Sequence, residues 1–338
     1  MGIASPYPPK QEKSMKPNIW VSSSQANEML AKQLKTWSLA HDNFQALKNV
    51  RLKEIRLDDC LIKIQFNPAR AISTTAKVDK GAILDRPCFL CVANLPVEQE
   101  RLPFGFHYLV LCNPYPIFQE HFTIPARRHE PQRILCRLND LLTIARRLNR
   151  HTIFYNGPRC GASAPDHAHF QAVTQGVMPI DQEIGDWLAR QDDRHLIPLG
   201  QAPGGSRLWR LERYWRNGFV IEGNNQEEIA TWFKRVFDAL PRSEDEEEPK
   251  MNLFAYYNDK TGWRLVIIPR KAHRPRQYFA EGEERLLSSP GAADVGGLLI
   301  LPVERDFERM DESLLRDLFG QTCYDDETIR SFQINTVF

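Results

Sequence analysis

Apolar positions along the chain fall into short alternating or continuous runs, interrupted by a few longer stretches of helical spacing. Residues 22–48 carry Met29, Leu30, Leu34 and Trp37 at near-helical intervals behind a serine cap candidate, which predicts a helix. The run DCLIKIQF predicts a strand ending at Asn67-Pro68-Ala69-Arg70, where proline stops regular pairing and leaves Arg70 on a loop. FGFHYLVLC, residues 104–112, predicts a strongly apolar strand, and HFTIPA its return. Pro131 then opens a helix through about residue 149, with Leu135, Leu138, Leu141, Leu142 and Ile144 as its buried side. HTIFYN and residues 167–173 predict two further strands, so the order counted from FGFHYLVLC is strand, strand, helix, strand, strand.

After the Gly/Pro-rich stretch PLGQAPGGS the same order returns as SRLWRLERYW, GFVIEG, a helix from about Asn225 to Leu240, NLFAYYN and GWRLVIIP. The predicted fold class is α+β, two related antiparallel-sheet halves with packed helices. Residues 1–21 read as a flexible N-terminal arm and 22–174 as the first half. Residues 175–206 read as a linker with a short helix near Asp181–Ala189, and 207–338 as the second half with a C-terminal extension. The acidic run SEDEEEPK reads as an exposed loop, and Pro269–Pro275 reads as an internal echo of Pro125–Pro131.

Composition narrows the classes of function. A chain of 338 residues, 42% of them hydrophobic, has ample material for a core. Lys plus Arg number 44 against 43 for Asp plus Glu, a balance that predicts neither a nucleic-acid nor a membrane partner. No apolar run reaches bilayer-spanning length, and the first twenty residues have no apolar segment behind their charges, so neither a membrane span nor a secretory signal is expected. Seven scattered cysteines, an odd number, suit a reducing cytoplasm.

The chemistry concentrates in Gly161-Ala-Ser-Ala-Pro-Asp-His-Ala-His-Phe-Gln171. On a strand, a period of two would put His167, His169 and Gln171 on one face and Ala168, Phe170 and Ala172 on the other. An unprotonated imidazole can attack phosphorus and form a covalent intermediate, or it can ligate a metal through one nitrogen while the other is held. Residues two apart on a strand lie about 7 Å apart along it, so the two histidines suit adjoining sites. Backbone amides around Gly157, Gly161 and Ser163, the Ser163 hydroxyl and the Gln171 amide could receive phosphoryl oxygens. Cys88 and Cys91 have zinc-ligand spacing, with two further ligands to come from the histidines elsewhere in the chain. Arg70, Lys77, Arg127, Arg128, Lys271 and Arg274 flank turns and are candidates to face phosphate.

His167-x-His169-x-Gln171, preceded by Asn156-Gly157 and Gly161-Ala-Ser163, resembles the histidine-triad (HIT-like) superfamily, and specifically its transferase branch. That branch includes galactose-1-phosphate uridylyltransferases, ATP adenylyltransferases (dinucleoside-tetraphosphate phosphorylases) and GDP-galactose phosphorylases. Glutamine in the third position marks transferring members, whereas hydrolytic members carry histidine there. The resemblance implies His169 as nucleophile, with Gln171 and Ser163 on the transferred phosphate and Asn156 orienting nucleotide or histidine. It implies a structural zinc held by Cys88, Cys91, His129 and His167, and Arg70 matches an early arginine motif of uridylyltransferases. The implied substrate is a nucleotide, a nucleoside diphosphate-sugar or a dinucleoside polyphosphate, with inorganic phosphate or a sugar phosphate as acceptor. The rivals are a hydrolase of the same fold and a zinc-stabilised nucleotide-binding protein without turnover. Family members are often dimers, which extends the expectation of a homodimer to this chain. The second half has no copy of the triad, so one catalytic site per chain is expected.

Overall fold

A computed structural model describes residues 20–71, 81 and 86–337. Nearly all of the arm expected over 1–21, and the candidate Lys77, lie outside the described residues. The first half has strands β1 (Arg51–Leu57), β2 (Cys60–Phe66), β3 (Arg101–Phe104), β4 (Tyr108–Cys112), β5 (His121–Pro125), β6 (His151–Asn156) and β7 (His169–Thr174). The rest of the chain adds β8 (Leu196–Gln201), β9 (Arg207–Leu211), β10 (Gly218–Gly223), β11 (Met251–Asn258), β12 (Gly262–Pro269) and β13 (Leu298–Leu301). The helices that matter here are α1 (Ser23–Thr36), α2 (Ser38–Ala46), α3 (Leu138–Arg147), α4 (Pro179–Arg190), α5 (Gln226–Ala239), α6 (Ala292–Val295), α7 (Glu304–Arg309) and α8 (Glu312–Thr322).

The predicted recurrence becomes one continuous antiparallel sheet of ten strands, ordered β3-β4-β5-β7-β6-β11-β12-β10-β9-β8. Each half contributes three strands, a helix and two strands to it, paired in the same first-second-third-fifth-fourth order, so each unit has one strand more than the sequence predicts. The two fourth strands, β6 and β11, meet at the centre, with Asn156 opposite Asn252 and Phe154 opposite Phe254. On one face α1, α2, α3 and α5 cover Phe122, Phe170, Phe219 and Leu253. On the other, β2 and β13 of a small three-stranded sheet, with α4 and α8, cover Val173, Phe254, Val266 and Ile268. The ten-stranded sheet is therefore buried on both sides, which is why its central strands read as near-continuous apolar runs.

Local readings shift where a turn was hidden. The helix read over 22–48 breaks at Trp37, whose extended φ of −126° ends α1 and lets α2 start at Ser38. The run 104–112 is a hairpin rather than one strand, since Gly105 at φ +57° reverses the chain between β3 and β4. The helix expected from Pro131 begins at Leu138 after a 3-10 turn, with the carboxylate of Glu248 accepting from the amides of Ile134 and Leu135. The acidic run is a loop only half exposed, held by Glu248 at this turn, by Glu246 on Arg159 and Lys250, and by Asp245 on Arg159. Residues 175–206 are not a linker, because they form α4 and the edge strand β8. Pro125 ends the third strand of its unit and Pro269 the fifth, so the two proline segments are not topological equivalents.

Candidate active site and metal centre

Strand β7 starts at His169, and His167 sits in the bend before it. Ala168, Phe170 and Ala172 pack into the helical side of the core, as the alternation predicts. His169 and Gln171 face the opposite side and line a cavity of about 520 Å3. That cavity lies against the ten-stranded sheet where the small sheet and the segment 289–294 cross it.

The His169 ring is held in one orientation. Its Nδ1 lies 2.8 Å from the His167 carbonyl oxygen, which can only accept, so Nδ1 carries the proton and Nε2 the lone pair. Burial pulls its basicity down to about pKa 4, so the ring is neutral near pH 7. The backbone is clamped by Gln132, which is 1% exposed and stands outside every sequence motif. Gln132 Oε1 accepts from the His169 amide at 2.8 Å, and Nε2 donates to the carbonyls of His169 and Asn156 at 2.9 Å each.

His167 turns to a different neighbourhood. Its Nε2 lies 2.7 Å from the Ala126 carbonyl, which fixes the proton there and leaves the Nδ1 lone pair facing Cys88 Sγ at 3.2 Å and Cys91 Sγ at 3.6 Å. Cys91 Sγ lies 3.2 Å from His129 Nδ1. Ligand atoms of Cys88, Cys91, His129 and His167 all fall within 4.8 Å of one another. A tetrahedral ion with ordinary zinc–sulfur and zinc–nitrogen bonds needs S···N edges of about 3.5 Å, so this donor set and spacing fit a metal. The outer Nε2 of His129 faces Asp166 Oδ2 at 3.6 Å, and His167 is held by a backbone carbonyl, the kind of second contact that orients metal-binding histidines.

Of the expected substrate residues, Arg70, Asn156, Gly161, Ser163, His169 and Gln171 all line the cavity. Gly157 does not. Its amide donates to Met251 O at 3.1 Å, and a Cβ there would meet the same oxygen at 2.8 Å, so this glycine serves the close approach of β11. Asn156 is buried, and its Oδ1 accepts from the Ala292 amide at 2.7 Å and from Asn252 Nδ2 at 3.0 Å. Asn252 in turn takes the buried Arg270 through its Oδ1 at 2.8 Å. The asparagine therefore ties the first half to the second and to the C-terminal segment. Gly161, at φ +94°, touches that same segment, and a Cβ on it would come within 2.4 Å of Gly291 Cα.

The cavity's other walls include one turn-flanking candidate from the sequence, Arg274, and several residues that sequence reasoning missed. Arg86 donates to the Ser163 carbonyl at 2.7 Å and so couples the CxxC loop to the glycine loop. Arg274 and His273 reach the cavity from the second half, and Gly291, Ala292 and Asp294 from the C-terminal extension. Arg127, Arg128 and Lys271 do not line it. Among the described residues three arginines line the cavity against the one buried carboxyl of Asp294, a balance that suits an anionic ligand. Asp294 is itself committed to the amides of Gly291 and Ile300, and burial raises its carboxyl to about pKa 6.

Residues 29–174 match a family described as a domain of unknown function, DUF4922. No curated protein matches the chain. The solved structure of yeast Ap4A phosphorylase Apa2 aligns at 16% identity over 85% of this chain and 97% of that one, with a TM-score of 0.56. The same enzyme in complex with Ap4A aligns at 17% identity over 85% and 97%, with a TM-score of 0.52. The chain therefore has the same overall fold as that phosphorylase, two related halves of antiparallel sheet with packed helices. Both halves share one sheet here, and the histidine motif leads into the last strand that the first half adds to it, β7. Its counterpart in the second half, β12, has no histidine between Gly262 and Pro269. Among the described residues no helix is long and apolar enough to cross a membrane.

Proposed function

We propose that the protein is a nucleotidyltransferase of the phosphorylase kind, acting on a nucleoside diphosphate-sugar or a dinucleoside polyphosphate through a nucleotidyl-His169 intermediate. The observation that carries this reading is the anchored His169 ring, with Nδ1–H on a carbonyl and Nε2 the lone-pair nitrogen of a side chain that lines an arginine-bearing cavity. Nε2 attacks the α-phosphorus, a P–N bond forms and the P–O bond to the distal group breaks. The leaving oxygen departs as a phosphate anion. Nδ1–H stays on the His167 carbonyl throughout and stabilises the charged ring of the intermediate. An oxygen of inorganic phosphate or a sugar phosphate then attacks the same phosphorus, and the P–N bond breaks. The Gln171 amide and Ser163 donate to the phosphoryl oxygens, whose charge grows during transfer. Arg70, Arg86 and Arg274 supply positive potential for the remaining phosphates. The Ap4A phosphorylase named for its structure supports the substrate class at the level of fold.

The cysteine and histidine cluster is proposed to hold zinc, and its role is structural. His167 would hold the ion through Nδ1 while its Nε2 bonds to the Ala126 carbonyl, and the His167 carbonyl that anchors His169 would then be fixed in place. The test is intact-protein mass spectrometry after mixing with nucleotide-sugars and dinucleoside polyphosphates. A mass gain of one nucleoside monophosphoryl group, absent from His169→Ala and discharged by phosphate, is expected. Discharge by water alone would mark a hydrolase, and full turnover by His169→Ala would overturn the mechanism.

A further inference from the structure

His121 lies on β5 beside β7, is 1% exposed and is not part of the cavity wall. Its Nδ1 accepts from the backbone amide of Ile117 at 3.2 Å. An amide nitrogen cannot accept in return, so Nδ1 must be bare and the ring proton must sit on Nε2. Nε2 lies 2.8 Å from the side-chain amide of Gln171. With a proton on Nε2, the Gln171 atom facing it must be the carbonyl oxygen, as placed, because the NH2 group would set donor against donor. The Asn113 Nδ2 that lies 3.3 Å from Nε2 makes the longer contact. Asn113 has its own oxygen engaged by the Tyr115 amide at 2.9 Å, so its NH2 also faces the ring without an acceptor there.

We propose that His121 is a positioning residue that holds the Gln171 amide with its NH2 group turned into the cavity, as the donor for a phosphoryl oxygen. A glutamine amide that can rotate presents donor or acceptor to the cavity, and only the donor face stabilises negative charge growing on phosphate. The chain of constraint runs from the Ile117 backbone, through the His121 tautomer, to the Gln171 rotamer. Thr123, two residues along β5, lies opposite Gln171 in register, so the two strands deliver His121 and Gln171 to the same face. Burial also holds His121 neutral, with its basicity down to about pKa 3, so the single-proton arrangement persists across the ordinary pH range. This inference rests on the transfer reading for its catalytic consequence and on geometry alone for the orientation.

Two measurements separate those parts. Long-range nitrogen–proton correlation spectra of protein labelled with 15N-histidine report the His121 tautomer whether or not the chain turns over a nucleotide. A proton on Nε2 is expected, and a proton on Nδ1 would overturn the inference. The second measurement is the rate of nucleotidyl-enzyme formation in the intact chain. His121→Phe, which keeps the ring shape and removes both nitrogens, should slow the step by about tenfold, the bias that one ordinary hydrogen bond imposes on a rotamer. The ground-state KM should be nearly unchanged. His121→Gln, which returns a donor near the Nε2 position, should recover most of the rate. In a Gln171→Leu background, adding His121→Phe should cost nothing further, because the two act as one unit. Independent, multiplying losses would overturn the positioning role. A wild-type chain that forms no adduct but shows the Nε2 tautomer would overturn the transfer reading and leave the orientation standing.

Discussion

Replacing Gln132 by leucine should unseat the His169 backbone without touching any group that meets substrate. The leucine fills similar volume but offers no polar atom to the His169 amide, the His169 carbonyl or the Asn156 carbonyl, all now bonded to the Gln132 side chain. Each of these backbone groups lies at a buried residue and has to give up a partner where water enters poorly. At on the order of 1 kcal/mol or somewhat more per group, the loss totals roughly 3–5 kcal/mol. In urea, with a slope of about 3 kcal/mol/M for a chain of this size, the unfolding midpoint should fall by at least about 1 M. The seven tryptophans supply a fluorescence signal for that measurement. Gln132→Glu sharpens the test. Its carboxylate still accepts from the His169 amide but faces two carbonyl oxygens, which raises its folded pKa above the unfolded value. Stability lost at neutral pH should therefore return as pH falls through that folded pKa, when the acid becomes a donor. A Gln132→Leu midpoint equal to wild type would refute the clamp.

Other consequences are as specific. Elemental analysis should find one zinc per chain, Cys88→Ser should lose it, and the melting temperature should drop by roughly 5–10 °C, as expected for a tightly bound ligand of the folded state. Gly161→Ala should cost about 2–4 kcal/mol and abolish adduct formation, because it combines strain at φ +94° with a Cβ 2.4 Å from Gly291 Cα. Gly291→Ala, whose Cβ would come no closer than 3.1 Å to Asn156 Oδ1, should be much milder in a thermal melt. Asp294, with its carboxyl raised to about pKa 6 by burial, binds a proton more tightly folded than unfolded. It therefore costs stability progressively as pH rises from about 4 through 6, by on the order of 2–3 kcal/mol. Asp294→Asn should flatten that part of the stability–pH profile, and an unchanged slope would count against a buried, charged Asp294.

The parts of the site that were legible in the sequence are those that chemistry restricts to a few residue types at fixed spacing. Cys88 and Cys91 announce themselves, and the period of two in His-Ala-His-Phe-Gln separates the apolar face from the reactive one. The clamp and the His121 contact were illegible because Gln132 bonds to backbone atoms, which any sequence possesses, and the backbone amide of Ile117 sets the His121 ring before it meets Gln171. His121 did sit two residues from Thr123 in an alternating strand, a spacing that pointed to a shared face but not to what it touched. Strand β1, RLKEIRL, went unread because it is an edge strand with Leu52 exposed, so no buried face marks its alternation. The hairpin in FGFHYLVLC and the break at Trp37 were masked by apolar residues that continue the pattern across a turn. Topology fared better, since its evidence is the order of whole elements and survives an error of several residues at any boundary.

The contact of Gly161 with Gly291, and the Asn156 bond to the Ala292 amide, also set a timetable. The histidine motif is made midway along the chain, whereas the segment that closes its cavity lies about 130 residues later. A nascent chain emerging from the ribosome could fold its first strands and gather the four proposed metal ligands while β11 and segment 289–294 were still unmade. At that stage β6 would show an unpaired edge and the cavity would lack a wall, so His169, the proposed nucleophile, would stand in water with little to hold a nucleotide. Competence for transfer should therefore appear late and abruptly during synthesis. Stalled chains ending before residue 290 should bind metal and remain unmodified by nucleotide.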